Sequence, residues 1–352
     1  MTGSGVRSTL ARLVVWGGLS MRCDVRYLVA VGAIAGTLAL AGCRARVART
    51  QSGYRLAGVA YYMQDPWWAT LQCGATRQAE RMGSKITWYS TATDTSSATQ
   101  QANLNAALLS RPDAMLLASS HPGTFSSEVK RLMLSGTPVI AVNSVQTPAN
   151  ERVLFHNSED NREFVLFVAN QMQGQSGTYG VLGGTAGSPD GIPRWKPMVE
   201  QLKVVAPNLH ALPTQFDEYN RTRASAAASA MIVAHPDLRF LYAITGPEGE
   251  GAAAAVQQSG KAKQIKVYSY GANESEVLGL KRGVYAALCG QPGYAIGEEG
   301  VKEAIAYLQS ATKGAPVPQL SPVVHNIPLK VLTKENVDDA SSAPYLQKST
   351  CN

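Results

Sequence analysis

The sequence predicts an α/β protein of two similar lobes, each a parallel sheet covered by helices, and three features of the 352-residue chain carry that reading. Short apolar, β-prone runs alternate with helical stretches from residue 54 onward, the alternation of a parallel sheet with crossover helices. The alternation passes through two cycles alike in kind, which fits two lobes better than one large sheet. The first cycle opens on residues 56–68, L-A-G-V-A-Y-Y-M-Q-D-P-W-W, where a strand suited to burial on both faces gives way to a helix start.

That opening stretch organises the rest. After the polar pair Gln64-Asp65, Asp is a good N-cap and Pro66 suits the first helical position, so a helix is expected from Pro66, continuing over 69–81 and stopped by Gly83. Trp67 and Trp68 then fall in the first turn of a helix leaving the carboxyl end of a strand, where open α/β sheets bind ligands. Adjacent helical residues point in different directions. One Trp is therefore expected to anchor the helix on the sheet and the other to face the crevice, where its flat ring suits stacking on a sugar face or another planar ligand.

Ahead of this lies a leader. Met21 begins a complete secretory signal, with Arg22 and Arg26 as basic flank, an apolar run over 27–40, and then Leu40-Ala41-Gly42-Cys43. Met21 is read as the natural start. The apolar run is shorter than the ~20 residues a membrane span needs. Leu-Ala-Gly-Cys resembles a bacterial lipobox, which implies cleavage before Cys43 and attachment of membrane lipid to its sulfur.

The charge of the chain, +7, belongs to this leader and the segment behind it. Seven arginines and Asp24 leave residues 1–50 at +6, so the remainder carries only +1. No basic face is needed, and nucleic acid is not expected as a partner. Arg44, Arg46 and Arg49 suit anionic lipid headgroups instead. Of five cysteines, Cys73, Cys289 and Cys351 remain after Cys23 and Cys43. They are too sparse for a disulfide framework and have no metal spacing. Buried or free thiols are expected, with a bridge between two of them left open. At 45% hydrophobic and 16% charged residues, the chain has the composition for two cores.

The first cycle continues with a strand at 86–90, a helix at 96–109, a strand at 114–118, a helix at 124–134 closed by Ser135-Gly136, and strands at 139–143 and 152–155. The second runs through a helix at 161–173, a strand at 178–182, a Gly, Ser and Pro-rich loop at 183–191, and a helix at 193–204. A strand at 209–212, an alanine-rich helix at 221–234 ended by His235-Pro236, a strand at 240–244 and a helix at 250–259 follow. The cycle closes with a strand at 266–270, a helix at 274–281, a strand at 284–288 and a long helix at 294–311. One further strand is expected at 326–331.

Several stretches, taken in order, resemble the type I periplasmic sugar-binding proteins of ABC importers, the ribose-binding-like group, here in lipoprotein form. They are Gln64-Asp-Pro-Trp-Trp68, Gly136-Thr-Pro-Val-Ile-Ala-Val-Asn143, Arg194 after the Gly-rich loop, Ala234-His-Pro-Asp-Leu238, Gly251-Ala-Ala-Ala-Ala, Gly283-Val-Tyr-Ala-Ala-Leu and Gln291-Pro. The resemblance covers residues 54–332 and implies two Rossmann-like lobes joined by a hinge. It divides the chain into a signal peptide (1–42), a tether (43–53), a first lobe (54–157 plus 292–322) and a second lobe (158–291 plus 323–345).

In that family two aromatics after the first strand sandwich a sugar, which assigns Trp67 and Trp68, with Gln64 and Asp65 beside them. A family arginine at the second-lobe helix start matches Arg194, and a hydroxyl-binding glutamine after the last hinge strand matches Gln291. An Arg fork and a Gln amide suit vicinal hydroxyls. The competing readings are an Arg194–Asp190 ion pair and a hinge glutamine bonding backbone. The chain departs from the ribose pattern in having Asn143-Ser144 in place of Asp-Arg, Gly271 in place of Asp, and Thr245-Gly246 in place of Asn-Asp. The missing carboxylates argue against ribose. Glu248, Glu250 and Asn273, expected in loops near the same rim, are substitutes unless they are merely surface groups.

The implied function is capture of a small polar ligand, a sugar or polyol, outside the cytoplasm and its delivery to an ABC permease. The protein is expected as a monomer with no cofactor and no metal. The alternatives are a sensor feeding a chemoreceptor or histidine kinase, and a LacI-type regulator core, which Cys43 argues against. An enzyme finds little support: there is no nucleophile elbow, no phosphate loop and no ligand spacing among the five histidines. Asp217 and Glu218 read as solvated loop acids.

Overall fold

The computed structural model describes residues 53–60, 65–90, 96–119, 123–143, 148–149, 151–154, 158–188, 190–317, 323–348 and 351. The signal, the lipobox with Cys43, and Gln64 lie outside them.

The first sheet is built from β1 (Arg55–Val59), β2 (Lys85–Tyr89), β3 (Ala114–Leu117), β4 (Val139–Val142), β5 (Glu151–Leu154) and, from far along the chain, β11 (Val323–Asn326). Its order is β11-β5-β4-β3-β1-β2, parallel throughout. Its helices are α1 (Pro66–Arg81), α2 (Ser97–Leu109), α3 (Ser126–Leu134) and α9 (Gly293–Ser310). The second sheet holds β6 (Gly177–Leu182), β7 (Leu209–Ala211), β8 (Leu238–Ala243), β9 (Lys266–Tyr270), β10 (Ala287–Gly290) and β12 (Lys330–Leu332), in the order β12-β10-β9-β8-β6-β7, with β12 antiparallel. Around it lie α4 (Ser158–Met172), α5 (Ile192–Val205), α6 (Arg221–Ala234), α7 (Gly246–Gln258) and α8 (Glu274–Lys281). Strands β1, β3 and β4 are apolar and buried almost without interruption, as sheets covered on both faces require. The chain passes between sheets after β5, after β10 and between β11 and β12.

Helix α1 starts where expected. The Asp65 side chain accepts the Trp67 N–H at 2.9 Å, Pro66 is at the first position, and Gly83 turns the chain with φ +66°. Helix α1 packs on α9 through two glycines. A Cβ on Gly74 would stand 2.0 Å from the Tyr294 carbonyl oxygen, and one on Gly297 would stand 2.1 Å from that of Leu71. The backbones themselves are in contact there.

Five expectations are corrected. Helix α7 begins at Gly246, not 250, because Thr245 is extended and Pro247 sits in the first turn, so the Gly-rich stretch is helix rather than loop. The strand expected at 284–288 starts at Ala287: the Val284 N–H returns to the Gly279 carbonyl at 2.8 Å and Tyr285 packs over Gly279, finishing α8 before the strand begins. The single strand expected at 326–331 is two, β11 and β12, with residues 327–329 passing between the sheets. Residues 323–326 thus pair in the first sheet, although the expected boundary gave them to the second lobe. Cys73 and Cys351 form a disulfide, Cα–Cα 5.2 Å, rather than two thiols, whereas Cys289 is buried and outside any disulfide. Among the described residues no helix is long and apolar enough to cross a membrane.

Candidate functional site

The carboxyl ends of the two sheets face each other across a cleft enclosing about 50 Å³. On the first-lobe side stand Asp65, Trp67, Trp68 and Asn143. Both indoles line the cleft and both are buried, packed edge to face with centroids 4.6 Å apart. The expected division of labour, one Trp anchoring and one facing the crevice, does not hold: each does both. Asp65 spends one oxygen on the α1 cap. Burial pushes its carboxyl up to about 6, partly offset by the Trp67 N–H and the nearby Arg194 charge.

Asn143 ends β4 with left-handed backbone, φ +64°, and is 4% exposed. Its Oδ1 is buried in the cleft wall with no hydrogen-bond partner among the described residues. A buried acceptor left without a donor is costly.

On the second-lobe side Arg194 rises from the first turn of α5. Its Nη1 donates to the Ile244 carbonyl at 2.7 Å, and its guanidinium lies 5.3 Å from the Tyr270 ring centroid. Beneath it the Tyr242 hydroxyl donates to the Arg194 carbonyl at 3.1 Å, and the Tyr270 hydroxyl donates to Asn161 at 3.0 Å. Phe164 packs against both rings. The fork is therefore held over an aromatic floor and lines the cleft. Gln291, at the passage from β10 to α9, is 5% exposed and lines the same space.

Not every expected residue reaches the cleft. Asn273 caps α8: its Oδ1 accepts the Glu276 N–H, and its Nδ2 donates to Glu250 at 3.1 Å. Capping consumes the side chain. Glu248 lies in the first turn of α7, fully buried behind Thr245, whose hydroxyl donates to it at 2.9 Å. Thr245 itself lines the cleft. Glu248 is helical rather than a loop residue, Asn273 ends the loop before α8, and neither lines the cleft. Sequence reasoning missed Gly191 and Tyr219 in the wall and weighed Asp190 only as an ion-pair partner. The Tyr219 hydroxyl donates to Ser188 at 2.7 Å, and its ring fills the space over Gly184, whose φ is +68°. That glycine was a legible signal of close approach.

Behind the wall sits an acid pair, for Asp217 is buried, not solvated. Burial pushes Asp217 up to about 6. Burial also raises Glu248 well above the ordinary range, with the Asp217 carboxyl adding to it. Because the folded values are raised, the folded protein holds more protons than the unfolded chain between about pH 4 and these values. The stability that the pair contributes is full below about pH 4 and is lost as pH rises through them. Urea midpoints are expected to fall between pH 4.5 and 7, and Glu248→Gln to flatten that fall. A wild-type and variant pair with parallel profiles would show that the carboxyls are ionised in the fold.

Among the described residues one group brings metal-ligand atoms within 4.8 Å of one another: Glu299 and Glu303 on α9 with His325 on β11. The Lys302 ammonium already pairs with Glu299 at 3.1 Å, and all three are partly exposed.

Comparison with known proteins agrees with the architecture. Residues 57–313 match the family described as periplasmic binding protein domain. The ribose import binding protein of Bacillus subtilis is 21% identical over 233 residues, 65% of this chain and 74% of its own. That of Salmonella typhimurium is 24% identical over 249 residues, 69% of this chain and 80% of its own. Among solved structures, an ABC transporter solute-binding protein from Agrobacterium vitis with bound D-fucose superposes with a TM-score of 0.75 at 21% identity, covering 83% of this chain and 99% of its own. With a family match spanning most of the chain, a two-sheet fold and a cleft walled from both lobes, the protein belongs to the periplasmic binding protein family.

Proposed function

We propose that the protein captures a small polar ligand, a sugar or a polyol, outside the cytoplasm and delivers it to an ABC permease. The two lobes close on the ligand by a hinge at the passages between sheets. The observation that carries this reading is the cleft itself: two indole faces and Asn143 Oδ1, unpartnered among the described residues, on one wall, the Arg194 fork on the other, and Gln291 between. Flat apolar rings with a few convergent donors and acceptors suit a ring carrying hydroxyls. The ribose-import function of the curated relatives and the D-fucose bound in the superposed structure support a sugar. The absence of the ribose-type carboxylates at Asn143, Gly246 and Gly271 favours a sugar other than ribose.

A thermal-shift screen against sugars, polyols, sugar acids, nucleosides and amino acids tests it. A ligand at 100 times its Kd adds about 2.7 kcal/mol of stability. A hit among sugars or polyols is expected; a hit only among amino acids or nucleosides would overturn the ligand class. Arg194→Ala is expected to weaken binding of that hit by about 1–3 kcal/mol while the protein stays folded. Unchanged affinity in calorimetry would remove Arg194 from the site. The reading includes a lipid anchor at Cys43 and a monomeric state. Cys43→Ala is expected to move the protein from the membrane fraction to the soluble one, and retention on membranes would defeat the lipoprotein assignment.

A further inference from the structure

The buried acid pair behind the second-lobe wall is made of acceptors that face each other. Asp217 is 3% exposed and Glu248 is fully buried, and their carboxyl groups lie within hydrogen-bond reach of one another. Glu248 Oε2 is served by the Thr245 hydroxyl at 2.9 Å. Glu248 Oε1 and both Asp217 oxygens have no donor among the described residues. The backbone N–H groups of Tyr219, Asn220 and Gly184 come near without completing a bond to these three oxygens. Nor does a cation pair with either acid among the described residues. Arg223 pairs with Glu218, Arg221 with Glu250 at 3.2 Å, and Arg194 gives Nη1 to the Ile244 carbonyl. Two buried carboxyl groups in contact repel unless a proton lies between them.

Two cleft residues hang on this pair. The Thr245 hydroxyl is committed to Glu248, and Tyr219 follows Asp217 by two residues. The turn that brings Tyr219 to the cleft has left-handed backbone at Glu218 (φ +56°) and again at Tyr219 (φ +59°). Residues other than glycine adopt that conformation at a cost and keep it where their surroundings fix it. One fixing point is the Glu218 N–H, which donates to the Gly184 carbonyl at 3.0 Å. The acid pair is another, and it ties the turn to the first turn of α7.

We propose that Asp217 and Glu248 are positioning residues for the cleft, holding one proton between them in a hydrogen bond that keeps Tyr219 and Thr245 in its wall. The assignment rests on the reading of the cleft as a ligand site. The proton sits on Glu248 Oε1, the more deeply buried group, and is donated to Asp217, where backbone N–H groups gather around the charge. Glu248 Oε2 is then left to accept the Thr245 hydroxyl, whose own lone pairs remain for a donor in the cleft. An amide at 248 reproduces both bonds, its nitrogen donating to Asp217 and its oxygen accepting from Thr245. An apolar side chain of similar length reproduces neither. A cation in place of the proton would need both carboxyl groups ionised, and an amide at 248 would then weaken the site instead of preserving it.

Two NMR measurements on the ligand-free protein test this. Glutamate is labelled with carbon-13 at the side-chain carboxyl, and the signal missing from Glu248→Gln is that of Glu248. At about pH 7.5, where an ordinary glutamate is ionised, it is expected at the chemical shift of a protonated carboxyl. The shift of a carboxylate would overturn the proposal, a bound cation included. Ring-labelled tyrosine then reports on the wall, with Tyr219 assigned through Tyr219→Phe. Its signal is expected to coincide in wild type and Glu248→Gln and to move or broaden in Glu248→Met. A displaced Tyr219 signal in Glu248→Gln would overturn the proposal even where Glu248→Met does not fold, and so would an unmoved one in folded Glu248→Met. Calorimetry with the sugar or polyol identified by the thermal-shift screen completes the test. Glu248→Gln is expected to bind it within about twofold of wild type and Glu248→Met about tenfold more weakly, the equivalent of one hydrogen bond. Equal affinity in folded Glu248→Met would remove the pair from ligand binding. If both NMR results hold and no compound of the screen stabilises the wild type, the ligand reading of the cleft falls and the one-proton pair stands.

Discussion

Gly297→Val is expected to cost about 3 kcal/mol or more of folding stability, the upper end of what overpacking a close contact does. The reason is the kind of atom in the way. A Cβ at 297 meets the Leu71 carbonyl oxygen at 2.1 Å and the Ala75 nitrogen at 2.7 Å, both backbone atoms of α1 that no rotamer change can move aside. The opposite face repeats the arrangement at Gly74 against Tyr294. Relief requires α1 and α9 to separate, which uncovers Leu71 and Ile296, both fully buried. Gly297→Ala is a sharper test, since in an unhindered helix it would stabilise by about 1 kcal/mol. Urea or guanidinium midpoints decide: a stabilised Gly297→Ala would show that the helices are not in backbone contact.

Trp67→Ala is expected to lose about 3–5 kcal/mol of stability, the usual cost of emptying a buried aromatic site, and to weaken the ligand as well. Trp67 is 3% exposed, packs edge to face on Trp68, and lies against Gly293 at the passage into α9, where an added Cβ would meet its Nε1 at 2.9 Å. It is thus part of the core and part of the cleft. Trp67→Phe separates the two roles, keeping an aromatic face while losing volume. It is expected to recover most of the stability and part of the affinity for whatever sugar or polyol the screen identifies. Full affinity in a folded Trp67→Ala protein would show that the indole face takes no part in binding.

The fold was legible because the chain states it locally. The Asp-Pro pair starts α1 where the cap rule puts it, and the polar ends of α6 give its limits to the residue. The lining of the cleft was legible where the family resemblance put a residue beside a strand end, as with Trp67, Trp68, Asn143, Arg194 and Gln291. It failed where the same residue type serves two purposes. Asn273 is as good a helix cap as a ligand donor, and the cap claimed it. Glu248 reads as a rim acid because a Gly-Pro-rich stretch reads as loop, whereas the helix carries it inward. Tyr219 has no local signal; its position follows from Gly184 across the fold. The Cys73–Cys351 bridge spans 278 residues, a separation over which no spacing rule speaks.

The membership of β11 and α9 in the first lobe also bears on how the chain is made. The edge strand of the first sheet and the helix that covers α1 come from residues 293–326, after the whole second sheet except β12. A chain emerging from a ribosome or a secretion channel cannot complete its first lobe until nearly all of it is out, so assembly of that lobe is delayed by contacts of long sequence separation. A polypeptide that must stay unfolded to be exported gains time from that wiring.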